Sequence, residues 1–321
     1  MRIAAPPMTD PHRNATAAGD DPSDRPMRPV DVVIYAILVV IWGGSFYAIE
    51  FQLGTVPIEQ SIFYRYAVAA LTLVLVCVAA RRPLLRFSRS DHGLFVLYGV
   101  LFFSLNYILI YRAQEDLTSG LTAITFTMAL FFANVNARIF LGTPINRSIL
   151  IGGGIGVGGL VLIFGNSIFA AQLDGSTLVG ATFILAAAYV VSLATVVTAK
   201  LSVRRIPGLQ ANTWGMLYGT LINGLFVIFF GNELVFDWSA PYVVAFLYLT
   251  FLAGVVAFIL YYVIVRRIGP ARAAYFTLLA PMVAIVISVF AEGLPITVLF
   301  VAGVAAVVAG NYIAVRTRRS T

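Results

Sequence analysis

Glu115–Gly120 reads EDLTSG, and 151 positions later the same slot, Arg266–Ala271, reads RRIGPA. On either side of the two slots the chain matches itself without a gap. Leu101/Leu252, Ile108/Ile259, Leu109/Leu260 and Tyr111/Tyr262 precede them, and Ala123/Ala274, Ala129/Ala280, Ala133/Ala284, Gly142/Gly293, Pro144/Pro295, Ile145/Ile296, Gly152/Gly303 and Gly159/Gly310 follow. A chain that repeats itself has placed two acids in one copy and two arginines in the other, and the reason for that decides the fold.

Composition narrows the class first. Hydrophobic residues make up 60% and charged residues 11%, with a mean hydropathy of +0.93; no soluble domain with a polar surface has this make-up. A hydrocarbon core of roughly 30 Å needs about 20 apolar residues per helix. Ten such runs can be marked, helices 1 to 10, at 32–52, 59–80, 92–112, 118–141, 147–166, 176–199, 210–230, 241–265, 270–291 and 295–315. A membrane barrel would alternate apolar and polar residues instead of giving continuous runs. The sequence therefore predicts an all-α membrane protein with ten transmembrane helices.

Residues 1–30 differ, with prolines at 6, 7, 11, 22, 26 and 29 and no sustained apolar run. They lack the apolar core that closely follows the basic start of a signal peptide, and their composition predicts a disordered tail on the cytoplasmic side. Cys77 has no second cysteine in the chain, so no disulfide framework is expected.

Arginines and lysines set the orientation. Of the 21, all but Arg65 and Arg112 lie in the tail, at the C-terminal end, or at the connections 2–3, 4–5, 6–7 and 8–9. By the positive-inside rule these connections and both termini are cytoplasmic. Glu50, Glu59, Glu115, Asp116, Asp174, Glu233, Asp237 and Glu292 fall at the opposite face. A five-helix unit has an odd number of crossings, so its second copy enters the membrane upside down. EDLTSG then lies outside and RRIGPA inside, each with the charge its side allows. Two inverted repeats are the architecture of many secondary transporters, whose substrate site lies near mid-membrane between the copies.

Three stretches carry a resemblance: WGGSF (Trp42–Phe46), PIEQSIFYRY (Pro57–Tyr66) and GPARAAYFTLLAPMVAIVISVFAEGLP (Gly269–Pro295). With the repeat, they resemble the ten-helix exporters of the drug/metabolite transporter superfamily, built from two EamA domains. On this reading residues 1–30 are the tail, 31–167 the first EamA repeat and 174–316 the second. The resemblance implies a basket of helices around a central cavity, amino acids, their derivatives or other small metabolites as cargo, export from the cytoplasm, and the cell membrane as the location. The family's helix 9 tends to end in a Gly-Glu pair; here the order is Glu292-Gly293, and the first copy has Gly142-Thr143 with no acid. There is no Gly-x-x-x-x-Gly-Lys loop for ATP, so coupling to an ion or facilitated diffusion is expected.

Charges within a bilayer are rare and usually face the interior. Glu50 and Arg65 stand out, Arg65 about 9 Å below Glu59 at 1.5 Å per residue. They bind a zwitterion or carry a proton on one reading. On the other they form an ion pair between helices 1 and 2, with Arg65 snorkelling.

Trp42 sits mid-helix, away from the interfacial belt, where it lines a cavity or packs beside Gly43 and Gly44. Asn106 needs a partner at mid-membrane. Ser45, Thr125, Tyr189, Ser192, Tyr248, Tyr261, Tyr275 and Thr277 complete the substrate-binding candidates, since aromatic walls with a few polar tips suit amino-acid-like cargo. Threonines of this kind also bond their own backbone.

Pro281 breaks the ladder of helix 9, where the first copy has Leu130, and is expected to kink the helix and serve as a gating hinge. The glycines of IGGGIGVGG in helix 5 and Gly303 and Gly310 in helix 10 fit close helix packing, with a homodimer seam as the alternative. His12 and His92 lie outside the bilayer, and no pair of acids lies deep within it, so an enzyme is not expected. No metal, cofactor or nucleic acid is called for. The expected partners are a small-molecule substrate and the lipid bilayer, and an importer of a vitamin or nucleotide-like ligand and a channel-like facilitator share the same sequence features.

Overall fold

The computed structural model describes residues 27–144, 147–169, 175–230, 233–268, 273 and 276–316. The expectations for the tail up to residue 26, for Asp174 and for Tyr275 lie outside these. Among the described residues the regular elements are helices and no strand occurs.

Eight helices are long and apolar enough to cross a membrane: α1 (Pro29–Glu50), α2 (Ile58–Ala79), α3 (Arg89–Gln114), α4 (Ser119–Leu141), α5 (Arg147–Phe169), α6 (Gly175–Val203), α7 (Gly208–Phe230) and α8 (Ala240–Ile268). Two shorter apolar helices follow, α9 (Phe276–Ala291) and α10 (Val298–Arg316). Each coincides with one of the ten apolar runs; α9 is described from Phe276, six residues into its run.

Local chemistry sets the ends. Ser88 begins α3 with a capping box: its hydroxyl accepts from the Asp91 N–H at 3.2 Å, and the Asp91 carboxylate accepts from the Ser88 N–H at 3.0 Å. Gly142 and Gly293, images under the 151-residue shift, both take positive φ, 72° and 69°. The Thr143 N–H then reaches back to the Ala137 carbonyl and the Leu294 N–H to the Ser288 carbonyl, the same six-residue closure after α4 and after α9. Helices α3 and α8 also share a feature, a π-helical stretch at Gly99–Leu105 and at Tyr248–Val256.

Packing obeys the same exchange. The pairs α5–α10, α2–α7 and α4–α9 are each their own image. The contacts α1–α9, α1–α8 and α2–α8 recur as α6–α4, α6–α3 and α7–α3. In the α5–α10 seam a Cβ on Gly159 would lie 2.7 Å from the Gly303 carbonyl, and one on Gly303 2.6 Å from the Gly159 carbonyl. Gly310 meets the Gly152 carbonyl in the image contact. Backbone against backbone is the close approach that small residues permit in membranes, so the helix 5 glycines at 152, 156 and 159 serve packing within the chain. Gly154 and Gly158 have open space instead.

Candidate functional site

The middle of α1 is enclosed by α8 and α9. Gly43 lies directly against the Ala280 carbonyl and Val283 of α9, and the space beside Gly44 is filled by the Tyr248 hydroxyl, which donates to the Ile41 carbonyl at 2.8 Å. Trp42 Nε1 donates to the Ala253 carbonyl at 3.3 Å, inside the π-helical stretch of α8. Such stretches disturb the regular ladder and recur at functional sites. The indole meets Phe276, Tyr261 and Phe258 at centroid distances of 4.6, 5.5 and 5.7 Å.

From Phe258 the aromatic contacts continue inward, to Phe103 at 5.8 Å, from Phe103 to Tyr66 at 5.3 Å and from Tyr66 to Tyr107 at 5.2 Å. This path ends at a cation. The Arg65 guanidinium lies 4.6 Å from the Tyr107 ring centroid and 5.0 Å from that of Tyr66, with Tyr111 beside it. Arg65 is 1% exposed, and none of the ion pairs described joins it to a carboxylate.

The ion pair between Glu50 and Arg65, one of the two sequence readings, does not form. Glu50 instead accepts from Gln114 Nε2 at 3.0 Å, and that amide also donates to the Phe46 carbonyl at 2.8 Å. Snorkelling is excluded by burial, because a snorkelling head needs water.

The other candidates divide. Asn106 and Thr125 are buried, and Asn106 Oδ1 and Thr125 Oγ1 have no partner. Ser45 donates to the Trp42 carbonyl of its own helix at 2.7 Å. Ser192 accepts from Asn136 at 2.6 Å across the α4–α6 seam and donates to the Tyr189 carbonyl, which makes it a packing contact. Tyr189 is 45% exposed and sits edge-on to Phe132, apart from the aromatic path. Thr277 lies half-buried in the first turn of α9, and Pro281 is buried within that helix, which runs through it.

Sequence reasoning missed Tyr66, Tyr107, Tyr111, Phe103, Phe258 and Phe276. A signal was present for the tyrosines. Tyr107 and Tyr111 are four apart on a helix and so share a face, and Arg65 needed aromatic or acidic company.

Both ends of the bundle are tied by polar contacts. At the acidic end Gln52 donates to the Tyr242 carbonyl at 2.9 Å, Ser61 meets the Tyr242 hydroxyl at 3.0 Å and Arg112 pairs with Glu59 at 3.1 Å. There too Glu292 accepts from the Ser119 N–H at 3.0 Å and from its hydroxyl at 2.5 Å, placing a carboxylate on the N-terminus of α4. At the basic end Asp31 pairs with Arg267, and Asp91 with Arg204 at 2.7 Å. Arg267, in the slot that reads RRIGPA, thus joins α8 to the start of α1. The aromatic path and Arg65 lie between the two tied ends.

Apolar helices in two interlocked halves, around a buried cluster of aromatic rings and one cation, mark a multi-pass membrane protein. The model of the EamA-like transporter family matches residues 32–165 and again 178–316, and the chain belongs to that family. It is similar to the uncharacterized transporter YetK of Bacillus subtilis (strain 168), 26% identical over 293 residues that cover 88% of this chain and 86% of YetK. The crystal structure of another protein aligns with a TM-score of 0.62 at 16% identity, over 92% of this chain and 100% of that one, a likeness of fold.

Proposed function

We propose that the chain is a secondary transporter of ten membrane-spanning helices, two inverted repeats at 31–167 and 174–316, which moves small metabolites across the cell membrane by alternating access. Its cargo on this reading is an amino acid or a derivative, moved in the direction of export, with both termini cytoplasmic. Family membership supports transport of a small molecule. The observation that supports the finer reading is a buried cluster of aromatic rings and one cation between separate sets of polar contacts at the two ends, since a carrier opens one end at a time.

Within the site, Trp42, Tyr248 and Tyr261 form one wall on this reading, and Asn106 and Thr125 offer unpartnered polar atoms to cargo. Pro281 is the hinge, because it lies where Gly43 holds α9 against α1. The test is counterflow in proteoliposomes with a panel of labelled amino acids, with and without unlabelled substrate inside. Saturable uptake accelerated by preloading supports a carrier. Flux that neither saturates nor responds to preloading would replace it with a channel-like facilitator, and a flat panel would turn attention to vitamin or nucleotide-like cargo.

A further inference from the structure

At the acidic end a buried acceptor lacks a donor. Gln114, the last residue of α3, is 3% exposed, and its amide nitrogen is shared between the Glu50 carboxylate at 3.0 Å and the Phe46 carbonyl at 2.8 Å. Oε1 of the same amide has no hydrogen-bond partner. Turning the amide over would not help, since its oxygen would then face two acceptors.

Glu50 also lacks a cation. It is half-buried, and none of the ion pairs described includes it or Glu292, the carboxylate within its electrostatic reach. Helices α1 and α9 run side by side, Gly43 on Val283 and Gly44 near Ile287, which brings the end of one to the end of the other. The charges of the neighbouring elements are engaged elsewhere. Arg112 of α3 is held by Glu59 of α2 and by Glu115, Arg65 of α2 faces Tyr66 and Tyr107, and Asp116 lies against Gly180 of α6. From α8 the titratable neighbours are phenols, Tyr242 on Ser61 and Tyr248 on the Ile41 carbonyl.

The two acids differ in what holds them. Glu292 accepts from the N–H and the hydroxyl of Ser119 at the start of α4, where a negative charge is favoured. Glu50 has a neutral amide as its donor. Two facing carboxylates without a cation disfavour double ionisation, and the donors leave the charge with Glu292.

A proton on Glu50 would also supply the donor that Gln114 lacks. A carboxylic acid and a primary amide can join by two parallel bonds, N–H to the acid carbonyl and O–H to the amide oxygen, whereas the ionised acid can make only the first. The images of Glu50, Gln114 and Glu292 are Leu201, Val265 and Leu141, so the second repeat ends the corresponding segments with apolar side chains.

We infer that Glu50 holds a proton against Gln114 Oε1 while the acidic end is closed, and that this proton latches α1 to α3. When it leaves to water the O–H bond to Gln114 is lost, two anions face each other, and the end is released. A proton needs no cavity, which suits a site packed this closely. The proton site stands on these contacts alone; its part in gating rests on the transport reading above.

The experiment is infrared spectroscopy of the purified full chain, titrated from about pH 5 to about pH 9, above the range of a free glutamate. Expected is a C=O band of a protonated carboxyl that fades as the pH rises and is absent in Glu50→Gln. In Glu292→Gln, which lacks the opposing anion, it should fade at lower pH. Opening is read by reaction of a maleimide with Thr122→Cys in a Cys77→Ser background, Thr122 being 0% exposed in the first turn of α4. Labelling should accelerate with pH at least about threefold more than in the same protein carrying Glu50→Gln, whose amide pairs with Gln114 at every pH.

No titrating band, a band that Glu50→Gln leaves in place, or labelling that follows pH equally with and without Glu50 would overturn the inference. Should Glu50→Gln fail to fold, Glu292→Gln keeps the test, and a band that fades there at the parent's pH would overturn it as well. Counterflow on the same preparation separates this claim from the one it rests on. Band and labelling without counterflow leave the latch and remove the carrier; counterflow without the band does the reverse.

Discussion

Where α5 crosses α10, Gly159 meets Gly303 and Gly310 meets Gly152, and each contact is the image of the other. Around the guanidinium of α2 the correspondence fails: Arg65, Tyr66 and Tyr107 have Met216, Leu217 and Phe258 as their images, and only Tyr111 keeps its counterpart, in Tyr262. The glycine seam is a backbone contact with no room for variation, so both copies retain it. The charged site is not repeated, and its image position is filled by the buried Met216. Symmetry therefore marks what the fold requires, and departure from it marks where one copy does something the other does not.

The largest effect is expected in the seam. A Cβ at Gly310 would overlap the Gly152 carbonyl, and since both partners are backbone neither can rotate away. Gly310→Val adds three carbons there and should cost more than about 3 kcal/mol by overpacking. Yield of monodisperse protein and its Tm measure it. Gly154→Ala, at a glycine with open space around it, should stay within about 0.5 kcal/mol of the parent. Equal losses from both variants would mean that helix propensity, and not the seam, governs these positions.

The next effect is of opposite sign in stability and function. Arg65→Met copies the second repeat into the first. Replacing a buried ion that has no ion-pair partner by an apolar residue of similar volume is often neutral or stabilising by about 1–4 kcal/mol, so Tm should hold or rise while counterflow falls at least about 10-fold. A variant that loses both together would show that Arg65 holds α2 against α3, and the contrast with Met216 would lose its meaning.

A third effect sits at the acidic end. Glu292→Gln removes the carboxylate from the N-terminus of α4 but keeps an oxygen that can accept from Ser119. Loss of a charge at a helix start is worth about 0.3–1 kcal/mol, and a Tm decrease of that order is expected. No change would make the contact incidental to the closure.

The helices were legible because apolar length alone marks them, and the repeat because ungapped identities survive 151 positions apart. Glu50 and Arg65 were found for the same reason, as charges in apolar runs, but their pairing was not. A sequence does not say which way a long side chain turns, and here Gln114 holds Glu50 while tyrosines of two helices surround Arg65. Ser192 and Tyr189 illustrate the opposite limit. Polar and aromatic residues on membrane helices look alike whether they face cargo or a neighbour, and Ser192 turned out to face Asn136. Phe258 and Phe103 were passed over because an apolar ring in an apolar run carries no signal until its neighbours are known.

The smallest effect concerns α4 and α9, which are images but lose ladder hydrogen bonds by different means. Helix α4 is interrupted at Thr127 and Met128, where the Thr127 hydroxyl and N–H both return to the Ile124 carbonyl, at 2.6 and 3.2 Å. Helix α9 runs from Phe276 to Ala291 with Pro281 inside it, where the first copy has Leu130. A threonine break can close again by rotating one side chain, whereas a proline never supplies the missing N–H. If α9 hinges at Pro281, Pro281→Ala should restore the ladder, leave Tm equal or slightly raised, and slow counterflow by about threefold with little change in the concentration dependence. Unchanged kinetics would remove the hinge from α9, and Thr127→Val would then test whether the movement belongs to the interrupted α4 instead.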